Sequence, residues 1–238
     1  MSISSGRQME IEIVDIADER LFAIPVMECG EPLVDVAGSS IVYGEPPEYP
    51  ETAPGYRLVR EGVLSRLERA QAALPKDLHL RLYEGYRSPQ VQARIFSAQL
   101  ARTTVSNPSY TQRQCFSAAA RLASPLYTFE GNMILPPHST GGAVDVEIVD
   151  RTGNVIEFGM EIKDWATVGP ERCATGFPEL VQAARRNRDL LVNVMSKAGF
   201  INYPREWWHF SYGDKYWAFV KDRPHALYTG VELTRRPV

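Results

Sequence analysis

Polar and apolar residues alternate at the start of the chain: from Met9 to Ile16, Met9, Ile11 and Ile13 share one face and Glu10 and Glu12 the other. A period of two predicts a half-buried strand there. Between Leu58 and Leu74 the period changes, with Val59, Val63, Leu67, Ala70 and Leu74 at helical spacing ahead of Pro75. An amphipathic helix that ends before the proline is expected. The Pro/Gly/Glu-rich stretch between them, Tyr43 to Tyr56, reads as a surface loop.

Leu78, Leu80 and Leu82 alternate with His79, Arg81 and Tyr83, which predicts a second strand running into Glu84-Gly85-Tyr86-Arg87. Ser88-Pro89 then supplies an N-cap and a first helical residue, so Arg87 stands at a strand-to-helix junction. Further along, Tyr110 to Leu122 reads as helix and Ala143 to Val149 as strand. The turn residues Asp150 to Asn154 lead into a returning strand, Val155 to Phe158. A long helix is expected from near Pro178, with Leu180, Ala184, Leu191, Val194, Met195 and Ala198 on one side and Gly199 as its C-terminal stop. Strands and helices are interspersed, several strand pairs look antiparallel, and no glycine-rich phosphate motif follows a strand. The pattern therefore favours α+β over a doubly wound sheet.

The 238 residues, 44% hydrophobic and 23% charged, suit one globular domain with a sizeable core. On that reading the N-terminal strand and loop region, residues 1–56, packs on a core of residues 57–238. Charge then narrows the partners. The 26 basic and 29 acidic residues form no block or stripe, which argues against nucleic acid and anionic membrane. No segment approaches the roughly 18 apolar residues of a membrane span, and no basic start leads into an apolar run, so a cytoplasmic protein is expected. Cys29, Cys115 and Cys173 form no Cys-x-x-Cys pair and are odd in number, which predicts reduced, buried thiols.

With only four histidines, His79, His138, His209 and His225, a site that uses two of them is a sharp expectation. In Pro136-Pro137-His138-Ser139-Thr140-Gly141-Gly142-Ala143-Val144-Asp145, a proline-stiffened approach delivers His138, and a tight glycine turn leads to Asp145 on a strand. Val144, Val146 and Ile148 face the core on that strand, leaving Asp145 and Glu147 on the other side. In Glu206-Trp207-Trp208-His209-Phe210 a carboxylate and an imidazole stand three apart among aromatics that exclude water.

Imidazole nitrogen and carboxylate oxygen suit Zn²⁺, and three protein ligands with one position left for water mark a catalytic site; His138, Asp145 and His209 supply three. Glu206 then acts as the acid/base that moves a proton from water to the leaving amine, and Arg87 polarises the scissile carbonyl and stabilises the oxyanion. Each piece alone has a duller reading. His-x6-Asp is common as a surface pair, and Glu206 with His209 as a local hydrogen bond; together with the Gly-Tyr-Arg segment they read as a site. His79, alternating with leucines, and His225, after Pro224, read as structural or loop residues.

Pro136-x-His138-x6-Asp145, followed by Glu206-x-Trp208-His209 and preceded by Gly85-Tyr86-Arg87-Ser88, resembles the D-alanyl-D-alanine metallopeptidases, over about half the chain from Tyr83 to Phe210. The doubled tryptophan is similar to the dipeptidase branch of the vancomycin-resistance type. The resemblance implies a hedgehog-like α+β domain, a central and mainly antiparallel sheet flanked by helices, and one Zn²⁺ per chain on His138, Asp145 and His209. It implies Glu206 and Arg87 as the catalytic pair, and hydrolysis of the small dipeptide D-Ala-D-Ala to two D-alanines. Ser139 would reach the substrate carboxylate, or serve only as a turn hydroxyl, and Asp164 would match the anchor for the free amine. Pro137 departs from the family, which often has serine there. Two alternatives stay open: a D,D- or L,D-carboxypeptidase on cell-wall peptides with the same metal site, and a catalytically silent zinc-binding module.

Overall fold

The computed structural model describes residues 13–47 and 49–233. Its strands in chain order are β1 (Leu33–Asp35), β2 (Val42–Tyr43), β3 (Leu58–Arg60), β4 (Leu78–Glu84), β5 (Ala143–Asp150), β6 (Ile201–Asn202) and β7 (His209–Ser211). The helices are α1 (Glu61–Ala72), α2 (Pro89–Ser106), α3 (Gln112–Ala120), α4 (Pro170–Cys173), α5 (Gln182–Lys197) and α6 (Lys215–Val220). Five strands form one sheet in the order β2-β4-β5-β7-β6, and β1 pairs with β3 in a separate two-stranded ladder. In the larger sheet only β2 and β4 run parallel; the other pairs are antiparallel. The α+β class and mainly antiparallel sheet read from the sequence are thus the ones found.

The period-two leucines do what alternation demands, since Leu80 and Leu82 of β4 and Val144, Val146 and Ile148 of β5 enter the main core. Helix α1 lays Val63, Leu67 and Ala70 on that sheet. Ser88 caps α2 through its hydroxyl, with Pro89 opening the helix, and Thr111 and Gln114 form a reciprocal capping box on α3. Gly199, at φ 103°, ends α5, with Phe200 N donating back to Met195 O.

Several expectations are corrected. Residues 9–12 of the first predicted strand lie outside the described residues, and Ile13 to Ile16 are not strand. The helix predicted from Leu58 starts at Glu61, because Leu58–Arg60 are taken by the ladder with β1. The returning strand after the Asp150 turn shrinks to a single bridge, Val149 to Val155. The long helix starts at Gln182, four residues after Pro178. Both faces of β5 are buried, and Glu147 is not in a cleft: it pairs with Arg81 at 2.6 Å. Cys115 and Cys173 are buried and unpaired as expected, but Cys29 is exposed. No helix among the described residues is long and apolar enough to cross a membrane.

One buried cation secures the wall behind the site. Arg188 of α5 donates to three backbone carbonyls, Phe158 (2.8 Å), Ala174 (2.5 Å) and Arg172 (3.2 Å). Its guanidinium lies over the Trp207 ring, which stacks on Phe158 at 4.1 Å. Burial lowers its pKa to about 10, and the three carbonyls offset part of the cost of keeping the charge there. Arg188→Leu leaves the three carbonyls without donors and is expected to cost roughly 3 kcal/mol or more of stability. A fall in the urea midpoint at unchanged slope is the measurement.

Candidate metal centre and active site

Sheet register brings two of the sequence-predicted ligands together. Asp145 of β5 stands directly opposite His209 of β7, so their side chains leave the sheet on the same face as neighbours. On the other side of β5, Asp145 opposes Glu84, after an irregularity between Leu82 and Glu84 that re-aims the end of β4. His138 comes from a separate element, the 3₁₀ turn Pro137–Thr140. That turn ends at Gly141 with φ 72°, where a Cβ would lie 2.3 Å from Leu33; only glycine meets both demands.

The three side chains converge. His138 Nε2 lies 3.2 Å from His209 Nδ1 and 3.4 Å from Asp145 Oδ1, and His209 Nδ1 lies 3.0 Å from that same oxygen. All three residues are buried, and they form a group able to hold a metal ion. The His138 ring is oriented from behind, its Nδ1 donating to the Gly85 carbonyl at 2.8 Å, so the lone pair of Nε2 faces the centre. His209 presents Nδ1, and its Nε2 is buried with no hydrogen-bond partner among the described residues.

Three electron-rich atoms in a triangle of 3.0–3.4 Å edges fit a small cation. With ligand bonds of about 2.0–2.1 Å, a tetrahedral ion sets its ligands roughly 3.3 Å apart. The charge balance agrees. Burial works to raise the Asp145 pKa, but the adjacent His138 and His209 outweigh it and hold the carboxyl well below its usual range. Burial lowers the His209 pKa, opposed by its contact with Asp145. An anionic aspartate beside a neutral imidazole is the protonation state that a divalent metal requires of its ligands.

The other predicted residues take different places. Glu206 joins the centre from the loop between β6 and β7, its Oε2 3.9 Å from His209 Nδ1. Asn202 Nδ2 steadies that loop by donating to the carbonyls of Glu206 (3.1 Å) and His209 (3.0 Å). Arg87 follows β4, with Nη2 3.7 Å from Asp145 Oδ2. Its guanidinium is held by a close bidentate pair to buried Glu84 and by Gln92 Oε1 at 2.9 Å. Ser139 is fully buried and donates to the Arg87 carbonyl at 2.9 Å, the work of a turn hydroxyl. Asp164 sits in a 3₁₀ turn whose neighbours Ile162 and Trp165 line the cavity, whereas Asp164 does not. His79 and His225 stand outside the metal-capable group.

Sequence reading missed Glu84, Gln92 and Tyr203, all of which line the cavity. Glu84 carried no usable signal: alternation puts it on the face of Leu80 and Leu82, and the irregularity after Leu82 turns it to the face of Asp145 instead. Gln92 and Tyr203 carried none.

A family model described as D-ala-D-ala dipeptidase, Peptidase_M15, matches residues 53–228, wider than the motif span. The chain belongs to this peptidase family. A D-alanyl-D-alanine dipeptidase of Synechocystis sp. is 30% identical, covering 85% of this chain and 90% of its own. One from Escherichia coli is 28% identical over 64% of this chain and 65% of its own. A solved vancomycin-resistance D,D-pentapeptidase in complex with Zn(II) is 13% identical, covering 82% of this chain and 86% of its own, with a TM-score of 0.42.

The buried charges of the peptidase give its metal-free form a defined pH response. His209 has a lowered pKa, so below its ordinary 6.5 the unfolded chain takes up a proton that the folded site resists. Asp145 is also lowered, and its contribution, present above 3.8, is lost as pH falls through the folded value. Both effects act in one direction. Stability of the metal-free protein is expected to decline as pH falls from about 6.5 toward 4, read as a falling urea midpoint, and His209→Gln should remove the upper part of that decline.

Proposed function

We propose that this peptidase is a zinc enzyme that hydrolyses D-alanyl-D-alanine to two D-alanines. The observation that carries the reading is the triangle of His138 Nε2, Asp145 Oδ1 and His209 Nδ1 with Glu206 and Arg87 beside it. The family match and the named activities of the two dipeptidase relatives support the substrate.

Bound by His138, Asp145 and His209, one zinc ion per chain would supply a Lewis acid for the scissile carbonyl and make water acidic enough to attack near neutral pH. Glu206 is buried near the ligands without joining them. It accepts the proton of the attacking water and returns it to the departing amine. The guanidinium of Arg87, fixed by Glu84 and Gln92, cannot swing away and faces the negative charge that develops on the carbonyl oxygen. The indole rings of Trp165 and Trp208 wall the cavity and keep the local dielectric low. Three unpaired cysteines suit a reducing compartment, in line with a cytoplasmic enzyme.

Two experiments test this. Purified protein should carry close to one zinc per chain and hydrolyse D-Ala-D-Ala to free D-alanine while leaving L-Ala-L-Ala uncleaved. Zinc without turnover of any peptide would sink the enzymatic reading in favour of a binding module. Glu206→Gln should keep its zinc and lose turnover by about 10²–10⁴-fold, whereas His209→Ala should lose the metal. A Glu206→Gln enzyme with near-normal kcat would remove Glu206 from the mechanism.

A further inference from the structure

Four buried side-chain atoms stand without a hydrogen-bond partner among the described residues: His209 Nε2, Ser211 Oγ, Asp214 Oδ2 and Trp207 Nε1. Trp207 belongs to the wall under Arg188. The other three fall on one short stretch of chain that begins at a metal-site histidine. His209 and Ser211 are two apart on β7, so their side chains leave the strand on the same face. Gly213, at φ 72°, then turns the chain hard against Tyr228, and Asp214 opens α6.

Asp214 is more than the cap of that helix. Its Oδ1 accepts from Trp217 N at 2.8 Å, which completes the capping role. A cap needs only this one oxygen, and a serine could supply it. The second oxygen is buried at a cost that nothing in α6 offsets. Its surroundings belong to the metal site. With Pro137 and Thr140, the two ends of the turn that carries His138, Asp214 lines a cavity of 250 Å³. Burial raises the Asp214 pKa, and Trp217 N–H, Ser211, His209 and His138 act against that rise. The Ser211 hydroxyl therefore stands near the carboxylate, though short of a full hydrogen bond, and both imidazoles lie within its field.

The three atoms are complementary in kind. For His209 to offer the lone pair of Nδ1, a neutral ring must carry its proton on Nε2, and a buried N–H calls for an acceptor. A hydroxyl both accepts and donates, and a carboxylate oxygen accepts. Nε2–H to Ser211 Oγ, and Ser211 O–H to Asp214 Oδ2, would satisfy all three.

We propose that Asp214, relayed by the Ser211 hydroxyl, is the positioning residue for His209: it keeps the ring proton on Nε2 and so aims the Nδ1 lone pair at the metal position. This rests on the metal-site reading and adds two residues that lie outside the sequence motifs.

The test measures zinc affinity of the whole protein by competition with a chelator, for the wild type, Asp214→Asn and Ser211→Ala, beside the urea midpoint of each metal-free form. Asparagine keeps an oxygen for Trp217 N–H but can replace Oδ2 with a donor, and Ser211→Ala removes the relay while leaving the cap. Zinc binding is expected to weaken about 10–100-fold in both. A carboxylate that served only α6 would show itself in the urea midpoint alone, with zinc affinity unmoved. Wild-type zinc affinity in whichever variants fold overturns the proposal. A wild type that takes up no zinc refutes the metal site itself, and that result is distinct from any difference between variants.

Discussion

Two imidazole nitrogens and a carboxylate oxygen lie within 3.0–3.4 Å of one another, a spacing satisfied by a shared proton or by a small cation among them. The surrounding fold reads as a frame that forces this proximity. Asp145 and His209 are cross-strand partners, so separating them means breaking the centre of the sheet. His138 is brought to them by a rigid turn closed by a glycine no other residue can replace without strain. Such a frame presents the three ligand atoms together to a divalent cation, so that metal binding and folding are coupled.

The frame extends outward through the backbone as much as through side chains. The Gly85 carbonyl fixes the His138 ring, and the Arg87 carbonyl receives Ser139, so the two ends of the β4-to-α2 junction are stitched to the histidine turn. Glu84 and Gln92 then orient the Arg87 guanidinium from either side of that junction. On the far wall, Arg188 binds the loop of residues 158–174 to α5 and underlies Trp207, next to the turn that carries Glu206 and His209. The cationic groups near the site thus have structural partners. Arg87 points at the centre with its charge partly balanced by Glu84, which limits the repulsion it would exert on a metal ion.

How far the sequence could be read depended on the range of the interactions. Alternation and capping gave β4, α2, α3 and β5 with small errors, because these signals are local. Leu58–Arg60 misled: their apolar residues fit a helical stripe, but the ladder with β1, more than twenty residues earlier, claimed them as strand. Ser139 and Asp164 were assigned to substrate by resemblance, yet the first is consumed by a backbone acceptor and the second lies beside the cavity without lining it. A hydroxyl next to a ligand in sequence can point anywhere once the turn is folded.

The sequence alone determined which chemistry was available: two histidines and two carboxylates in settings of proline, glycine and tryptophan, with an arginine between a strand and a capped helix. Those are properties of residue type and short spacing. Tertiary structure decided the rest, since the pairing of β5 with β7 and the approach of the His138 turn to His209 join positions more than sixty residues apart, 64 and 71 along the chain. Nothing in local periodicity encodes such contacts. They arise only when the sheet closes and burial forces each charged group to find whatever partner the fold has placed within reach.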